Sequence, residues 1–260
     1  MDLQHYLKRI HYKGKTEVSI ETLNFLHRAH VLNVPFENFH VINRIPIVLD
    51  QEKFYSKVVE RKRGGFCYEL NGLFAKALEE IGFDNYFIGC SVFVPPLNDF
   101  GSNFGHLAII TSIDEQLFLV DVGFGDAFLE PLELKFDEPV FQFGFYYRLT
   151  QLPNEEILLE KSLDNESYQK MYKFTLKKRD LQDFAETCEF HQVSPLAPFT
   201  KKPLCSRATS AGRITLTSTS LTITNGQQKK EVPILSSSQF DELLEEHFGM
   251  KFTADPDLVA

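Results

Sequence analysis

Cys67 is the residue of this chain best placed to act as a nucleophile. It follows two glycines in the segment RGGFCYELN at residues 63–71, where a predicted helix begins. Apolar residues at helical spacing indicate that helix, and Gly82 predicts its C-terminal cap. The unpaired N–H groups and the positive dipole end of a helix favour a thiolate, the nucleophilic form of cysteine. A buried cysteine packed as a small apolar side chain is the alternative.

A cysteine nucleophile needs a base to take its proton and a third group to orient that base. Strand register predicts that His106 is the base and that Asp121 is the group that orients it. If Asp114 and Glu115 form a two-residue turn between strands 106–113 and 116–124, Ala108 lies opposite Asp121. His106 and Asp121 are then diagonal neighbours on one face of the sheet, with Cα atoms ~7–8 Å apart.

These residues together predict a Cys67–His106–Asp121 triad, recognised by its roles as the serine triad is. Two alternatives stay open at this point. The same residue types bind zinc, although a single cysteine and wide spacing count against a metal site. The histidine and the aspartate could also form a purely structural hydrogen bond. His27 and His30 share one helix face but lack ligand-like neighbours, so we interpret them as surface or core residues.

Composition and charge limit the domain organisation, the partners and the cellular compartment that we expect. The chain has 260 residues, 43% of them hydrophobic, which suits two or three coupled subdomains. A net charge of -9 argues against a nucleic-acid or anionic-membrane partner, and no apolar stretch is long enough to span a bilayer. The opening residues lack the features of a secretory signal, and the four cysteines form no CxxC pair. We therefore expect a cytoplasmic protein with free thiols.

The periodicity of the chain predicts helices first, strands next and a mixed end. The predicted helices cover residues 3–10, 20–31, 50–62, 67–81, 181–188 and 237–248. The predicted strands cover residues 86–94, 106–113, 116–124, 143–151, 156–161, 168–176, 213–217, 221–224 and 231–234. Strands in succession joined by short turns favour an antiparallel sheet or barrel.

Five blocks of the sequence resemble those of the arylamine N-acetyltransferases. RGGFCYELN at residues 63–71 is similar to the signature of that family, and VPFEN at residues 34–38 resembles a second block. Residues 105–107 and 121–125 resemble the histidine and aspartate blocks, and residues 194–199 resemble a further one. The blocks occur in the family's order and span most of the chain, so their joint match is specific.

The resemblance implies an α+β fold with three units. These are a helical bundle at residues 1–84, an antiparallel β-barrel at 85–190 and an α/β lid at 191–260, around a core like that of papain-like cysteine enzymes. It also implies acetyl-coenzyme A as co-substrate, no tightly bound cofactor and no metal. The expected acceptors are arylamines, arylhydrazines or N-arylhydroxylamines. No oligomeric state follows from the sequence.

The resemblance further assigns residues to binding and support. Phe36 and Phe124 match positions that contact the acceptor, and the residues before His106 are expected to contact coenzyme A: Ser102, Asn103 and Phe104. An inward-pointing Asp126 would repel the phosphates of coenzyme A. Structural support is expected from an ion pair that braces the Cys67 loop and joins two of the matched blocks: Glu37 and Arg63.

Three other functions share parts of this pattern. An amide synthase that closes a macrolactam would use the same triad with a larger acceptor cleft. A papain-like hydrolase or transglutaminase would use the same three residue types. A non-catalytic homologue that binds small molecules would keep the fold without turnover, but an intact triad argues against it.

Overall fold

The computed structural model describes residues 1–226 and 228–251, so residues 252–260 of the predicted lid lie outside it. The chain is a mixture of helix and antiparallel sheet. The helices are α1 Leu3–Arg9, α2 Ile20–Asn33, α3 Phe39–Ile42, α4 Gln51–Tyr55, α5 Cys67–Ile81, α6 Ala185–Val193 and α7 Ser237–Phe248. The strands are β1 Phe36–Glu37, β2 Asp84–Val94, β3 Asp99–Phe100, β4 His106–Ile113, β5 Gln116–Val120, β6 Leu132–Glu133, β7 Val140–Gln142, β8 Phe145–Gln151, β9 Ile157–Ser162, β10 Gln169–Phe174, β11 Leu204–Thr209, β12 Gly212–Thr217, β13 Ser220–Asn225 and β14 Gln228–Pro233.

The strands form two antiparallel sheets. The larger one follows the order β6-β5-β4-β2-β10-β9-β8-β7, with β3 beside β2, and curls into a nearly closed barrel. The smaller one follows the order β1-β11-β12-β13-β14 and packs against α7. The α+β fold, with a helical bundle, a barrel and an α/β lid, is thus confirmed. No helix among the described residues is long and apolar enough to cross a membrane.

The smaller sheet crosses the predicted boundaries between units. Phe36 of β1 pairs with Ser206 of β11, so a strand from the first third of the chain forms the edge of the lid sheet. Neither strand is predicted by the sequence patterns, because β1 has only two residues and its partner lies far along the chain. The division at residues 84 and 190 therefore stays a prediction.

Capping residues set the helix boundaries in the first third. The Ser19 side chain accepts the N–H of Thr22 to begin α2, and Asp50 accepts two backbone N–H groups to begin α4. Gly82 ends α5 in the left-handed conformation, with φ of 107°. One expectation is wrong: the helix from residue 50 does not continue regularly to residue 62, because Ser56–Glu60 form a wider π-helical turn.

The hairpin of β4 and β5 has the predicted register. Ile109 lies opposite Val120, and the turn residues Asp114 and Glu115 both have positive φ, as a two-residue hairpin turn requires. The ladder ends at Val120, so the predicted continuation of this strand to Phe124 is wrong. Strand β4 separates two apolar cores and places its first residue, His106, where helices and barrel meet.

A cluster of buried charges holds the segment that precedes α5. The predicted ion pair is present, with Arg63 Nη2 2.7 Å from Glu37 Oε1. Lys57 Nζ donates to both carboxylate oxygens of Glu69 at 2.9 Å and lies 3.4 Å from Glu37. Burial alone would raise the pKa of Glu37, but Lys57 and Arg63 outweigh it and lower that pKa to about 2. Glu69 in turn accepts the backbone N–H of Phe66, so the cluster fixes the residue before Cys67.

Substituting Lys57 tests this cluster. Lys57→Met should lower the free energy of unfolding by about 3–5 kcal/mol, because it leaves the carboxylates of Glu37 and Glu69 with an uncompensated buried charge. Lys53→Met, at an exposed position of α4, is the matched control and should change it by less than about 0.5 kcal/mol. Urea unfolding of both variants measures this difference. Equal effects of the two substitutions would contradict it.

Candidate active site

The carboxylate of Asp121 binds the imidazole of His106. Asp121 Oδ2 accepts a hydrogen bond from His106 Nε2 at 2.8 Å and a second one from the Tyr172 hydroxyl at 2.9 Å. All three side chains are buried. When the Nε2–H group of His106 donates to Asp121, the neutral ring has its free lone pair on Nδ1. This nitrogen can then act as a base.

The second oxygen of Asp121 binds the backbone of the loop that follows strand β5. Asp121 Oδ1 accepts the backbone N–H groups of Gly123 at 3.0 Å and Phe124 at 2.9 Å. It also accepts from Asn71 Nδ2 at 2.9 Å. Burial opposes ionisation of Asp121, but His106 and the hydrogen bonds from Asn71 and Tyr172 hold the pKa of Asp121 below the ordinary value. The carboxylate is therefore charged at neutral pH and fully bonded.

Asn71 joins the helix of the cysteine to the strands of the other two residues. It lies one turn after Cys67 in α5, and its Nδ2 donates to the Leu107 carbonyl at 2.6 Å as well as to Asp121. Its Oδ1 accepts the N–H of Val122 at 2.9 Å. In the sequence, Asn71 stands out only as part of the segment RGGFCYELN. Its position on the helix face of Cys67 was the only signal for this role.

Cys67 is the first residue of α5 and lies directly against the Asp121 loop. A side chain at Gly123 would place its Cβ 2.9 Å from Cys67 Cα, so only glycine permits this approach. The thiol is 3% exposed, and burial raises its pKa, although hydrogen bonding with the Leu107 backbone opposes that effect. The helix start alone therefore does not yield a thiolate, and the thiol needs a base such as His106.

His27 holds the backbone of Asp121. Its Nε2 accepts the Asp121 N–H at 3.2 Å, and its Nδ1 donates to the Leu129 carbonyl at 2.9 Å. Burial lowers the pKa of His27 to about 4, so the ring is neutral. His30 is also buried and bonds the Tyr6 hydroxyl at 2.7 Å. Both are thus core residues, and sequence patterns gave no sign that one of them touches Asp121.

Phe36 and Phe124, the predicted acceptor residues, line the same small cavity. The Phe124 ring also meets His106 edge-on, with centroids 5.1 Å apart, so this cavity adjoins the imidazole. Its volume is about 20 Å³, room for a single water molecule. An aromatic ring does not fit in this volume.

The three residues predicted to contact coenzyme A form the turn before β4. Ser102 and Asn103 are exposed, whereas Phe104 is half-buried. The Phe104 carbonyl accepts from the Tyr68 hydroxyl at 2.7 Å, and Asn103 Oδ1 accepts from the Ser91 hydroxyl at 2.8 Å. The turn is thus fixed on α5 and β2, with its first two side chains facing solvent.

Asp126 has two cationic neighbours. Its side chain is 71% exposed, with Oδ1 2.9 Å from Lys161 Nζ and 3.9 Å from Arg213 Nε. Two positive charges therefore outweigh its single negative charge. Within residues 1–226 and 228–251, no group of three His, Cys, Asp or Glu residues could hold a metal ion.

Comparison with known proteins gives one consistent result. A sequence model described as N-acetyltransferase matches residues 19–256. Human arylamine N-acetyltransferase 1 is 33% identical, with 96% of this chain and 94% of that protein covered. The solved arylamine N-acetyltransferase of Salmonella typhimurium has a TM-score of 0.89 at 28% identity, covering 95% and 90% of the two chains. That of Bacillus cereus, described with a Cys-His-Glu catalytic triad, has a TM-score of 0.88 at 27% identity, covering 96% and 99%.

Two glycines of the Asp121 loop provide a matched test of the site. Gly123→Ala should slow alkylation of Cys67 by iodoacetamide at least about tenfold. The new methyl group would push the Asp121 loop away from α5, and Asp121 and its partner His106 would then no longer be held where His106 can activate the thiol. Gly125→Ala should leave the rate within about twofold, since nothing lies within 4 Å of the added Cβ. Peptide mass mapping assigns the label to Cys67. Equal rates in the two variants would contradict the close approach.

Proposed function

Because the chain belongs to the arylamine N-acetyltransferase family, we propose that it moves an acetyl group from acetyl-coenzyme A to arylamines through Cys67, His106 and Asp121. The observation that carries this proposal is the buried His106–Asp121 hydrogen bond, which Asn71, one turn after Cys67 in α5, ties to the helix of the cysteine. The same arrangement supplies a nucleophile, a base and a group that orients the base.

The first half of the reaction acetylates the enzyme. His106 Nδ1 takes the thiol proton of Cys67, and the thiolate attacks the acetyl carbonyl of acetyl-coenzyme A. The C–S bond to coenzyme A breaks, and the coenzyme A thiolate takes the proton back from His106. Ionised Asp121 stabilises the imidazolium that exists between these steps. Cys67 then carries the acetyl group as a thioester.

The second half transfers the acetyl group to the acceptor. The arylamine nitrogen attacks the thioester carbonyl, His106 accepts the proton that the nitrogen loses, and Cys67 leaves as the thiolate. Arylamines are weak bases and are neutral near pH 7, so they enter an apolar site without the cost of burying a cation. Arylhydrazines and N-arylhydroxylamines share this property. Phe36 and Phe124 would contact the aromatic ring of the acceptor.

Both halves pass through a tetrahedral oxyanion. The N–H of Cys67, at the first residue of α5, is a candidate donor to that oxygen, and the positive end of the helix dipole adds to its effect. We assign the donor contacts to Ser102, Asn103 and Phe104, in the turn that leads into His106. Lys161 and Arg213 offset the charge of Asp126, so Asp126 need not exclude the phosphates of coenzyme A.

The relatives favour this function over the alternatives. The family model spans most of the chain, and the similar proteins named above are arylamine N-acetyltransferases rather than macrolactam-forming amide synthases or hydrolases.

Intact mass measurement tests the acetyl-cysteine intermediate. Incubation with acetyl-coenzyme A should add the mass of one acetyl group, and an arylamine such as aniline should remove it. Cys67→Ala should take up no acetyl group. Cys188→Ala, which removes another buried free cysteine, should be acetylated as the unmodified chain is. Acetylation that survives in Cys67→Ala, or that no arylamine discharges, would overturn the proposal.

Substitution of Asp121 tests the orienting role. Asp121→Asn should slow acetylation by about 10⁴-fold, because a carboxamide favours the wrong imidazole tautomer and does not stabilise its charge. Asp121→Glu should recover part of the rate, because it restores a carboxylate in a position where a longer side chain fits less well. Stopped-flow mixing with acetyl-coenzyme A measures both rates, and circular dichroism checks the fold. A rate within about tenfold of the original in Asp121→Asn would contradict this role.

A further inference from the structure

A second concave site lies between α1 and the C-terminal ends of α2 and α7. It has a volume of about 650 Å³, within the range of small-molecule sites. None of the residues that we assign to the triad, the acceptor or the donor lines it. Its lining contains four permanent cations, which are Lys8, Arg9, Lys62 and Arg207.

The charge of this pocket is opposite to that of the whole protein. The chain has a net charge of -9, yet the single carboxylate in the lining belongs to Glu246, whose side chain is 68% exposed. Among the described residues, no carboxylate forms an ion pair with any of the four cations. Four positive charges against one negative charge leave a local excess of three. Such a concentration of one sign attracts small ions of the other sign.

The two arginines of the pocket are held by backbone carbonyls alone. Arg9 donates to the carbonyls of Val58, Asn33 and Arg63 at 2.8–3.1 Å. Arg207 donates to the carbonyls of Leu32 and His247, while its buried Nε has no hydrogen-bond partner among the described residues. Carbonyl dipoles orient a guanidinium but do not neutralise it.

The two guanidinium groups also repel each other. Burial, and next the charge of Arg207, lower the pKa of Arg9 to about 10. Both groups remain charged at neutral pH. A structure that fixes two like charges near one cavity gains free energy when an anion enters, because the anion interacts favourably with both.

We propose that this pocket binds a small phosphate anion of two or more negative charges, such as pyrophosphate or the diphosphate of a nucleotide. Arginine N–H groups bind phosphate oxygens strongly, and the carbonyls hold Arg9 and Arg207 in place while leaving N–H groups on each guanidinium for a ligand. Lys8 and Lys62 are exposed and free to close on the ligand from the solvent side. The pocket is a binding site distinct from the active site.

Titration calorimetry with pyrophosphate at low ionic strength tests the proposal on the full chain. We expect one saturable site, weakened by added salt because exposed charges are screened. The double variant Lys8→Gln with Lys62→Gln should bind at least about tenfold more weakly, since both attractive charges at the opening are lost. Lys177→Gln with Lys202→Gln removes the same net charge from exposed positions outside the pocket and should change binding less than about twofold.

Two further measurements identify the ligand and distinguish this pocket from the acetyl-coenzyme A site. ADP that binds much more tightly than pyrophosphate would indicate a nucleotide, and equal affinity would indicate the phosphate group alone. The Lys8, Lys62 double variant should keep the KM for acetyl-coenzyme A. A raised KM would assign the pocket to the donor and overturn the proposal.

Two other outcomes would also overturn it. The first is an absence of saturable pyrophosphate binding to the full chain. The second is equal weakening in the two double-lysine variants.

Discussion

An ionised carboxylate in a dry interior is the constraint on which the rest of this site depends. Asp121 is 1% exposed, and a charge in that position is tolerated only when both oxygens are fully hydrogen-bonded. Meeting that need fixes the ring of His106, ends strand β5 and draws Asn71 of α5 against the sheet. One electrostatic requirement thus sets the positions of His106, of the loop after β5 and of the helix that begins at Cys67.

The thiol shows why no single feature of the site is sufficient. A helix start favours a thiolate, but burial of Cys67 raises its pKa and opposes that effect. In the proposed reaction the thiol proton must therefore move to His106, and the imidazole of His106 must be the correct tautomer. The charged cluster of Glu37, Lys57, Arg63 and Glu69 adds mechanical support by fixing the residue before the helix. Support and activation are separate contributions made by different residues.

Sequence patterns predicted the parts of the fold that depend on local rules. The register of β4 and β5 followed from a two-residue turn, and it brought His106 and Asp121 together. The pairing of β1 with β11 was missed, because two residues near position 36 carry no signal for a partner near position 206. Asn71, His27 and Tyr172 were missed as neighbours of Asp121 for the same reason. Each of the three residues belongs to a different helix or strand, and only folding brings them together at the carboxylate of Asp121.

If Cys67 carries the acetyl group as we propose, the burial of Cys67 and His106 has a consequence for the lifetime of the acyl-enzyme. A thioester at this position would meet almost no solvent, so its loss by reaction with water would be slow. The ratio of hydrolysis to aminolysis would then depend on which molecule can enter past the aromatic side chains, rather than on which nucleophile is more abundant. Donor and acceptor would each wait for a transient opening, and this opening, rather than the making of bonds, would set the rate of turnover.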